Sequence, residues 1–204
     1  MSSLSLSLLG AAREAADAQV PGLVDHKFAS RLGAKDHTLW GQAAEDEASK
    51  RLGWVALFED SRALLPRIAQ LREELAAEGV NRVVLAGMGG SSLAPEVICG
   101  TEGLELIVLD STDPQQVGKA LKDLERTVLV VSSKSGSTVE TDSQRRIVQR
   151  AFTEAGIDAA SRTVVVTDPG SPMQEQSQQA GVRAIFEADP SVGGRYSALT
   201  AFGL

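Results

Sequence analysis

The sequence predicts an α/β protein, a doubly wound three-layer αβα sandwich around a five-stranded, mainly parallel sheet of order 2-1-3-4-5, preceded by a helical N-terminal segment. Two observations predict this fold. Five short, β-branched apolar runs have the length of buried strands, and amphipathic runs typical of helices separate them. Strands that alternate with helices form a parallel sheet covered on both faces. The predicted strands are 82–86, 104–109, 127–131, 163–166 and 182–186.

Proline, glycine and capping residues mark the ends of the predicted helices. Apolar residues recur at helical spacing from 64 to 75, and Gly79 is placed to end that helix. Asp113 and Ser171 each precede a proline and have a glutamine three residues later, which is typical of a capped helix start. These signals place helices between the strands, as the parallel sheet requires.

The first part of the chain contains no strand-like run. Helical runs are predicted at 10–19 and 43–52, with a polar stretch between them that begins at Pro21. We therefore divide the chain into a helical N-terminal extension, residues 1–57, and an α/β domain, residues 58–204.

Composition excludes several classes of function. The net charge is −7 and no cluster of basic residues is present, which argues against nucleic-acid or anionic-membrane partners. Cys99 is the only cysteine, and its apolar neighbours predict a buried, inert thiol. The two histidines have no metal-ligand spacing, so no metal site is expected. The start, MSSLSLSLLG, lacks a basic region and no run approaches about 20 apolar residues, so a cytoplasmic protein is predicted.

A hydroxyl-rich loop follows the predicted third strand. The run 127–131 leads into SSKSGST at 132–138, and the amphipathic stretch 139–152 behind it predicts a helix. A helix N-terminus exposes unpaired N–H groups and the positive end of the dipole, which suit a phosphate dianion. The loop therefore predicts an anion site. Its polar residues and its glycine are Ser132, Ser133, Lys134, Ser135, Gly136, Ser137 and Thr138.

A purely structural alternative exists for part of this loop. Ser137 and Glu140 have the spacing of a capping box, in which the serine caps the helix and the glutamate bonds back to it. This alternative explains two residues. It leaves Ser133, Ser135 and Thr138 without a role.

The first predicted strand runs into GMGGSS at 87–92, which has two interpretations. In one, Gly87-x-Gly89-x-x-Ser92 is a dinucleotide-binding loop with Asp110 as the ribose-binding acid, although its third glycine is missing. In the other, Gly89 and Gly90 allow close approach of the backbone to a phosphorylated ligand, and Ser91 donates a hydroxyl. With sheet order 2-1-3-4-5 the switch point lies between strands 1 and 3, so this loop and the hydroxyl-rich loop face one crevice. A single small phosphorylated ligand then explains more residues than a dinucleotide does.

A third loop follows the fifth strand at the same edge of the sheet. Residues 191–197 read SVGGRYS, in which paired glycines, the second being Gly194, precede Arg195. This pattern predicts an arginine held close to the ligand. The alternative is a surface turn, with Ser197 as the cap of a terminal helix.

The three motifs GMGGSSL (87–93), SSKSGSTVET (132–141) and GGRYSALTAFGL (193–204) resemble the glucose-6-phosphate isomerase family and, more broadly, the sugar-isomerase (SIS) phosphosugar-binding domain. The resemblance implies conversion of glucose 6-phosphate to fructose 6-phosphate through an enediolate, without a cofactor. It also implies a cytoplasmic enzyme of glycolysis and gluconeogenesis that is usually a homodimer. Residues 38–41 and 51–54 look like isomerase portions of bacterial proteins that can be fused to transaldolase.

The resemblance also implies roles for individual residues. Ser133, Ser135, Thr138 and the backbone of Lys134 match the loop that holds the sugar phosphate, and Ser91 matches a supporting contact. Arg195 matches the arginine that stabilises the enediolate, a task that suits a permanently charged group with fixed donors. The close-approach glycines are expected to be Gly89, Gly90, Gly136 and Gly194.

One departure from the family pattern concerns catalysis. The family's glutamate base, its ring-opening histidine and a lysine lie on later segments, whereas this chain stops at Leu204 within a helix-like apolar run, 198–204. We therefore expect an N-terminal portion that ends before the second SIS subdomain and is inactive alone. A non-catalytic sugar-phosphate sensing module is the alternative, since it would use the same loops without a base.

Overall fold

A computed structural model describes residues 7–204. The chain divides into two compact units, Met1–Val55 and Ala56–Leu204. The first unit contains the helices α1 (Ala11–Asp25), α2 (Phe28–Gly33) and α3 (Gln42–Arg51). The predicted helix 10–19 was too short, because α1 continues through Pro21. Proline removes one helical hydrogen bond, and on this exposed helix water can satisfy the carbonyl that loses its partner.

The second unit is built on one parallel sheet. Its strands are β1 (Arg82–Gly87), β2 (Ile107–Leu109), β3 (Thr127–Ser132), β4 (Thr163–Thr167) and β5 (Ala184–Glu187), in the order β2-β1-β3-β4-β5. The predicted order is confirmed, and all four pairings are parallel. The predicted start of the second strand at residue 104 was wrong. Gly103 has a left-handed backbone conformation, and the Leu104 N–H donates to the Cys99 carbonyl. Residues 103 and 104 therefore form the C-terminal cap of the preceding helix and are not part of the strand.

Six α-helices belong to this unit: α4 (Leu57–Asp60), α5 (Leu65–Ala77), α6 (Leu93–Glu102), α7 (Pro114–Ala120), α8 (Val139–Glu154) and α9 (Pro172–Gln179). The predicted caps are confirmed. Asp113 accepts hydrogen bonds from two N–H groups of α7, and Ser171 accepts one from the Gln174 N–H of α9. Gly79 follows α5 with φ +77°, as expected of a glycine that ends a helix.

Two apolar cores lie on opposite faces of the sheet. On one face, Val148 and Phe152 of α8 pack with strand residues such as Leu129. On the other face, Leu75 of α5 and Phe202 pack with strand residues from β3, β4 and β5. The three-layer αβα sandwich is therefore confirmed. In open α/β sheets of this kind, ligands bind in the crevice outside the carboxyl ends of the strands.

Two further predictions differ from the structure. Cys99 is half-buried rather than fully buried, and no residue of its helix α6 is buried. The predicted helical run at 198–204 is instead a 3₁₀ helix, Gly194–Leu199, followed by turns. Thr200 is extended and ends the 3₁₀ helix, which turns Phe202 into the second core. No helix of the described residues is long and apolar enough to cross a membrane.

Candidate functional site

Three loops meet at the switch point of the sheet. They are the glycine loop (residues 88–92, after β1), the serine loop (133–138, after β3) and the arginine loop (193–197, after β5). β1 pairs with β3 as far as Gly87 and Ser132, so the first two loops begin side by side. The carboxyl edge of a doubly wound sheet is where ligands bind at such a point.

The glycine loop and the serine loop are joined where they leave the sheet. The Ser132 hydroxyl donates to the Ser91 carbonyl at 2.7 Å. A Cβ atom on Gly87 would lie 3.0 Å from the carbonyl oxygens of both serines, so this strand end has no room for a larger residue. The Ser91 backbone is thereby fixed. Its own hydroxyl makes no hydrogen bond within the described residues and is half-exposed.

The glycine loop also contacts the arginine loop. A Cβ on Gly90 would fall 2.4 Å from the Gly194 carbonyl oxygen, which means that the two backbones are in contact. The buried Ser197 hydroxyl lies 2.9 Å from the Gly90 carbonyl and 2.7 Å from that of Gly194, so it holds the contact together. Sequence reasoning considered Ser197 only as a helix cap and missed this role. Gly194 itself has open space at its Cβ position and contributes through its backbone.

The contact between Gly90 and Gly194 leads to a stability prediction. Gly90→Ala should lower the free energy of unfolding by about 1–3 kcal/mol, the usual cost of forcing a methyl group into a packed region. Gly100→Ala is the matched control, because Gly100 lies in α6 with nothing within 4 Å of its Cβ position. Urea denaturation of both variants measures the difference. Equal stability of the two would show that the loops do not pack as described.

Arg195 is exposed in the arginine loop. Within the described residues its guanidinium makes no hydrogen bond and no ion pair, in contrast to most other arginines of this unit. Asp142, for example, engages both Arg145 and Arg146 at 2.6 and 2.7 Å. Burial raises the pKa of Asp142, but hydrogen bonds and charge from these arginines outweigh it and keep the pKa below its usual value. Arg195 is therefore a cation at the crevice that has its donors available.

The serine loop contains a network of hydroxyl groups. The buried Ser133 hydroxyl lies 3.1 Å from that of Thr138, and the Ser137 hydroxyl lies 3.1 Å from that of Ser135. Thr138 is the N-cap of α8 and makes no side-chain cap bond. The capping box at Ser137 is therefore contradicted, because the helix begins one residue later and the Thr138 hydroxyl is bonded to Ser133.

The serine loop also presents main-chain donors. Four of its N–H groups have no acceptor within the described residues, those of Lys134, Ser135, Gly136 and Thr138. They stand at the N-terminus of α8, a 16-residue helix whose dipole has its positive end there. Gly136 permits this arrangement with φ +66°. Hydroxyl and N–H donors at a helix N-terminus are suited to an anion.

The only lysine of the serine loop does not present a free charge. Lys134 Nζ is 2.6 and 2.9 Å from the two carboxylate oxygens of Asp168, in the loop after β4. It also lies 3.4 Å from the Asp189 carbonyl. Sequence reasoning missed Asp168. Its position just after a predicted strand, at the same sheet edge as the other loops, was the signal that could have found it.

Comparison with known proteins shows the family to which the chain belongs. A family model described as phosphoglucose isomerase matches residues 69–204, which is most of the second unit. The chain belongs to the phosphoglucose isomerase family. Glucose-6-phosphate isomerase of Thermus thermophilus is 34% identical over 169 residues, covering 79% of this chain, and that of Chlamydia muridarum is 30% identical over 184 residues, covering 86%.

Solved structures show the same relationship. A hypothetical protein, TT0462, from Thermus thermophilus aligns with TM-score 0.70 and 30% identity over 94% of this chain and 44% of its own. A glucose-6-phosphate isomerase from Chlamydia trachomatis aligns with TM-score 0.63 and 27% identity over 84% of this chain and 33% of its own. The matched stretch spans 40% of the Thermus thermophilus relative and 32% of the Chlamydia muridarum relative. The chain therefore spans less than half the length of each of these relatives.

Proposed function

We propose that this chain binds glucose 6-phosphate and fructose 6-phosphate as the phosphosugar-binding portion of a glucose-6-phosphate isomerase. The observation that carries the proposal is the serine loop, where hydroxyls and unpaired N–H groups converge at the N-terminus of α8. Residues 58–204 would form the SIS domain and residues 1–57 its helical extension. The complete enzyme would be a cytoplasmic homodimer that uses neither a cofactor nor a metal.

In this proposal the serine loop holds the phosphate. Ser135 and Thr138 donate hydroxyl groups, and Lys134 donates its backbone N–H. The buried Ser133 acts through its hydrogen bond to Thr138, and Ser91 adds a contact from the glycine loop. Gly90 brings the glycine loop against the arginine loop, whereas Gly89, with φ +56° and open space at its Cβ position, contributes a left-handed turn and no close approach. The Lys134 ammonium is neutralised by Asp168, so the phosphate is held by neutral donors and by the helix dipole.

Arg195 would serve the chemistry at the other end of the sugar. During aldose–ketose isomerisation negative charge develops on the oxygens at C1 and C2. A guanidinium that is always charged and carries donors in a fixed plane stabilises such charge. The exposed Arg195, with no ion pair among the described residues, is available for this role. It stands beside the glycine loop because Ser197 joins the two loops.

Removing a hydroxyl from the serine loop tests the phosphate site. Each charge-assisted hydrogen bond contributes about 1.5–3 kcal/mol, so Ser135→Ala or Thr138→Val should weaken binding of glucose 6-phosphate by about tenfold or more. The measurement is an NMR-detected titration. Ser143→Ala is the matched control, because among residues 7–204 that hydroxyl bonds only to the Val139 carbonyl of its own helix.

Two results would contradict this assignment. In one, the amides of residues 133–138 stay unmoved during the titration while another region shifts. In the other, NAD binds saturably and binding is lost on changing Gly89 or Asp110, which would favour the dinucleotide interpretation of the glycine loop. The Asp110 carboxylate accepts a hydrogen bond from Gln116 at 2.9 Å in the structure.

A further inference from the structure

The loop after β4, residues 168–171, forms a support beneath the serine loop. Asp168 contacts Lys134 twice: its carboxylate pairs with the ammonium at 2.6 Å, and its N–H donates to the Lys134 carbonyl at 3.2 Å. One residue therefore holds both the side chain and the backbone of Lys134. The Asp189 carbonyl, after β5, lies 3.4 Å from the same ammonium.

Two neighbouring contacts seat the serine loop on the same support. The Ser133 N–H donates to the Val166 carbonyl of β4 at 3.0 Å. Gly136 lies so close to Ser171 that a Cβ on the glycine would be 2.8 Å from the serine Cβ. Three of the six residues of the serine loop are thus fixed by β4 and the loop that follows it.

The ion pair is sheltered from solvent. The side chains of Lys134 and Asp168 are 23% and 20% exposed. Screening is weaker for such a pair than for one on the surface, and loss of either partner leaves a half-buried charge uncompensated. The pair therefore stabilises the fold more than an exposed ion pair would, and it can fix the geometry of the loop that contains Lys134.

We propose that Asp168 is a positioning residue of the phosphate site, acting through Lys134; this inference rests on the proposed function. By engaging the ammonium, Asp168 draws the Lys134 side chain toward the β4 and β5 loops. By donating to the Lys134 carbonyl, it orients the Lys134–Ser135 peptide so that the Ser135 N–H, which has no protein acceptor among the described residues, is left for the ligand. Lys134 then contributes to the phosphate site through the peptide that joins it to Ser135, and its ammonium stays with Asp168.

The test measures binding of glucose 6-phosphate and of inorganic phosphate to the 204-residue chain and its variants. Asp168→Asn and Lys134→Met should each weaken binding about tenfold, because each removes the ion pair between Lys134 and Asp168. The double variant should bind no more weakly than the weaker single variant, since the two residues act as one unit. Lys134→Arg, which retains the ion pair, should restore affinity to within about threefold of the wild type. In the wild type, the ¹⁵N signal of the Lys134 ammonium should stay unmoved by ligand while the loop amides shift.

Glu78→Gln is the matched control. Glu78 pairs with Arg183 at 2.7 Å, next to the amino ends of β1 and β5 and thus at the opposite edge of the sheet. It should lose an ion pair and keep its phosphate affinity. Circular dichroism checks that each variant is folded.

The outcomes separate this inference from the proposed function. Tighter binding by Asp168→Asn would overturn the inference, because it would mean that the freed ammonium binds the phosphate directly. Unchanged affinity in both single variants, or a Lys134→Arg variant as weak as Lys134→Met, would also overturn it while leaving the proposed function intact. A wild-type chain that binds neither ligand would overturn the proposed function itself and the inference with it.

Discussion

The 204-residue chain is expected to bind glucose 6-phosphate without converting it to fructose 6-phosphate. Moving a proton between C2 and C1 needs a general base, which typically contributes 10²–10⁴-fold to the rate. The carboxylates of the loops that surround the site are already engaged. Asp168 pairs with Lys134, and Asp189 accepts hydrogen bonds from the N–H and hydroxyl of Ser191. The matched stretch spans 40% of the Thermus thermophilus isomerase, so most of that enzyme's length lies outside this match.

A coupled assay for fructose 6-phosphate measures this prediction. The full-length Thermus thermophilus glucose-6-phosphate isomerase serves as the positive control, and the titration described above shows whether the chain is loaded with ligand. Binding without turnover would also fit a non-catalytic sensing module. Adding the remaining portion of an isomerase separates the two, because only an enzyme portion would gain turnover. Turnover by purified residues 1–204 would mean that a base lies within them.

Substitution of Arg195 is expected to change the two kinetic constants of an active enzyme that contains this chain to different extents. Arg195→Lys should lower kcat more than it raises KM, because the lysine retains charge but loses the planar set of donors directed at the enediolate. Steady-state kinetics with glucose 6-phosphate measures both constants. A defect confined to KM would place Arg195 in substrate binding and remove it from the chemistry.

The sequence predicted the strands and the three loops because both depend on local patterns, and the sheet order followed from the fold class that the alternation of strands and helices predicts. Buried parallel strands appear as β-branched runs, and loops at their carboxyl ends carry glycine and hydroxyl residues. The boundaries were less accurate. Leu104 is apolar and was assigned to a strand. Its N–H instead bonds to the Cys99 carbonyl, so it belongs to the turn that ends α6 at Gly103. Ser137 has the spacing of a capping residue, yet hydrogen bonding between Ser133 and Thr138 accompanies a helix start one residue later.

Residues that connect the loops were the hardest to predict. Asp168 meets Lys134 across 34 positions, and Ser197 meets Gly90 across 107. Nothing in the local pattern around either residue specifies its partner, because the pairing follows from which strands are neighbours in the sheet. The predicted order β3-β4-β5 puts the loop after β4 beside the serine loop, but only the structure shows that Asp168 of that loop reaches the Lys134 ammonium. The chemistry of the loops was therefore predictable from the sequence, whereas the contacts that fix their geometry required the structure.

Gly136→Ala is expected to lower the affinity for phosphate roughly a hundredfold or more. Gly136 has φ +66°, a left-handed conformation that costs an L-residue about 1–2 kcal/mol. Its added Cβ would also lie 2.8 Å from the Ser171 Cβ and 3.0 Å from that of Met173, and such overpacking costs about 1–3 kcal/mol more. The serine loop can relieve both only by moving off its support, which displaces Ser135 and Thr138. Loss of two hydrogen bonds to a dianion would lower affinity roughly a hundredfold or more.

Gly181→Ala separates backbone strain from the clash at Gly136. Gly181 has φ +63° and nothing within 4 Å of its Cβ position, and it precedes β5 at the amino edge of the sheet. Both alanine variants should lose stability in urea denaturation, with the greater loss at residue 136. Only Gly136→Ala should lose affinity for glucose 6-phosphate in the titration, because only that substitution drives the serine loop away from Ser171. Wild-type affinity in Gly136→Ala would show that the phosphate is held elsewhere, since the loop at 133–138 cannot keep its donors in place around a methyl group at this position.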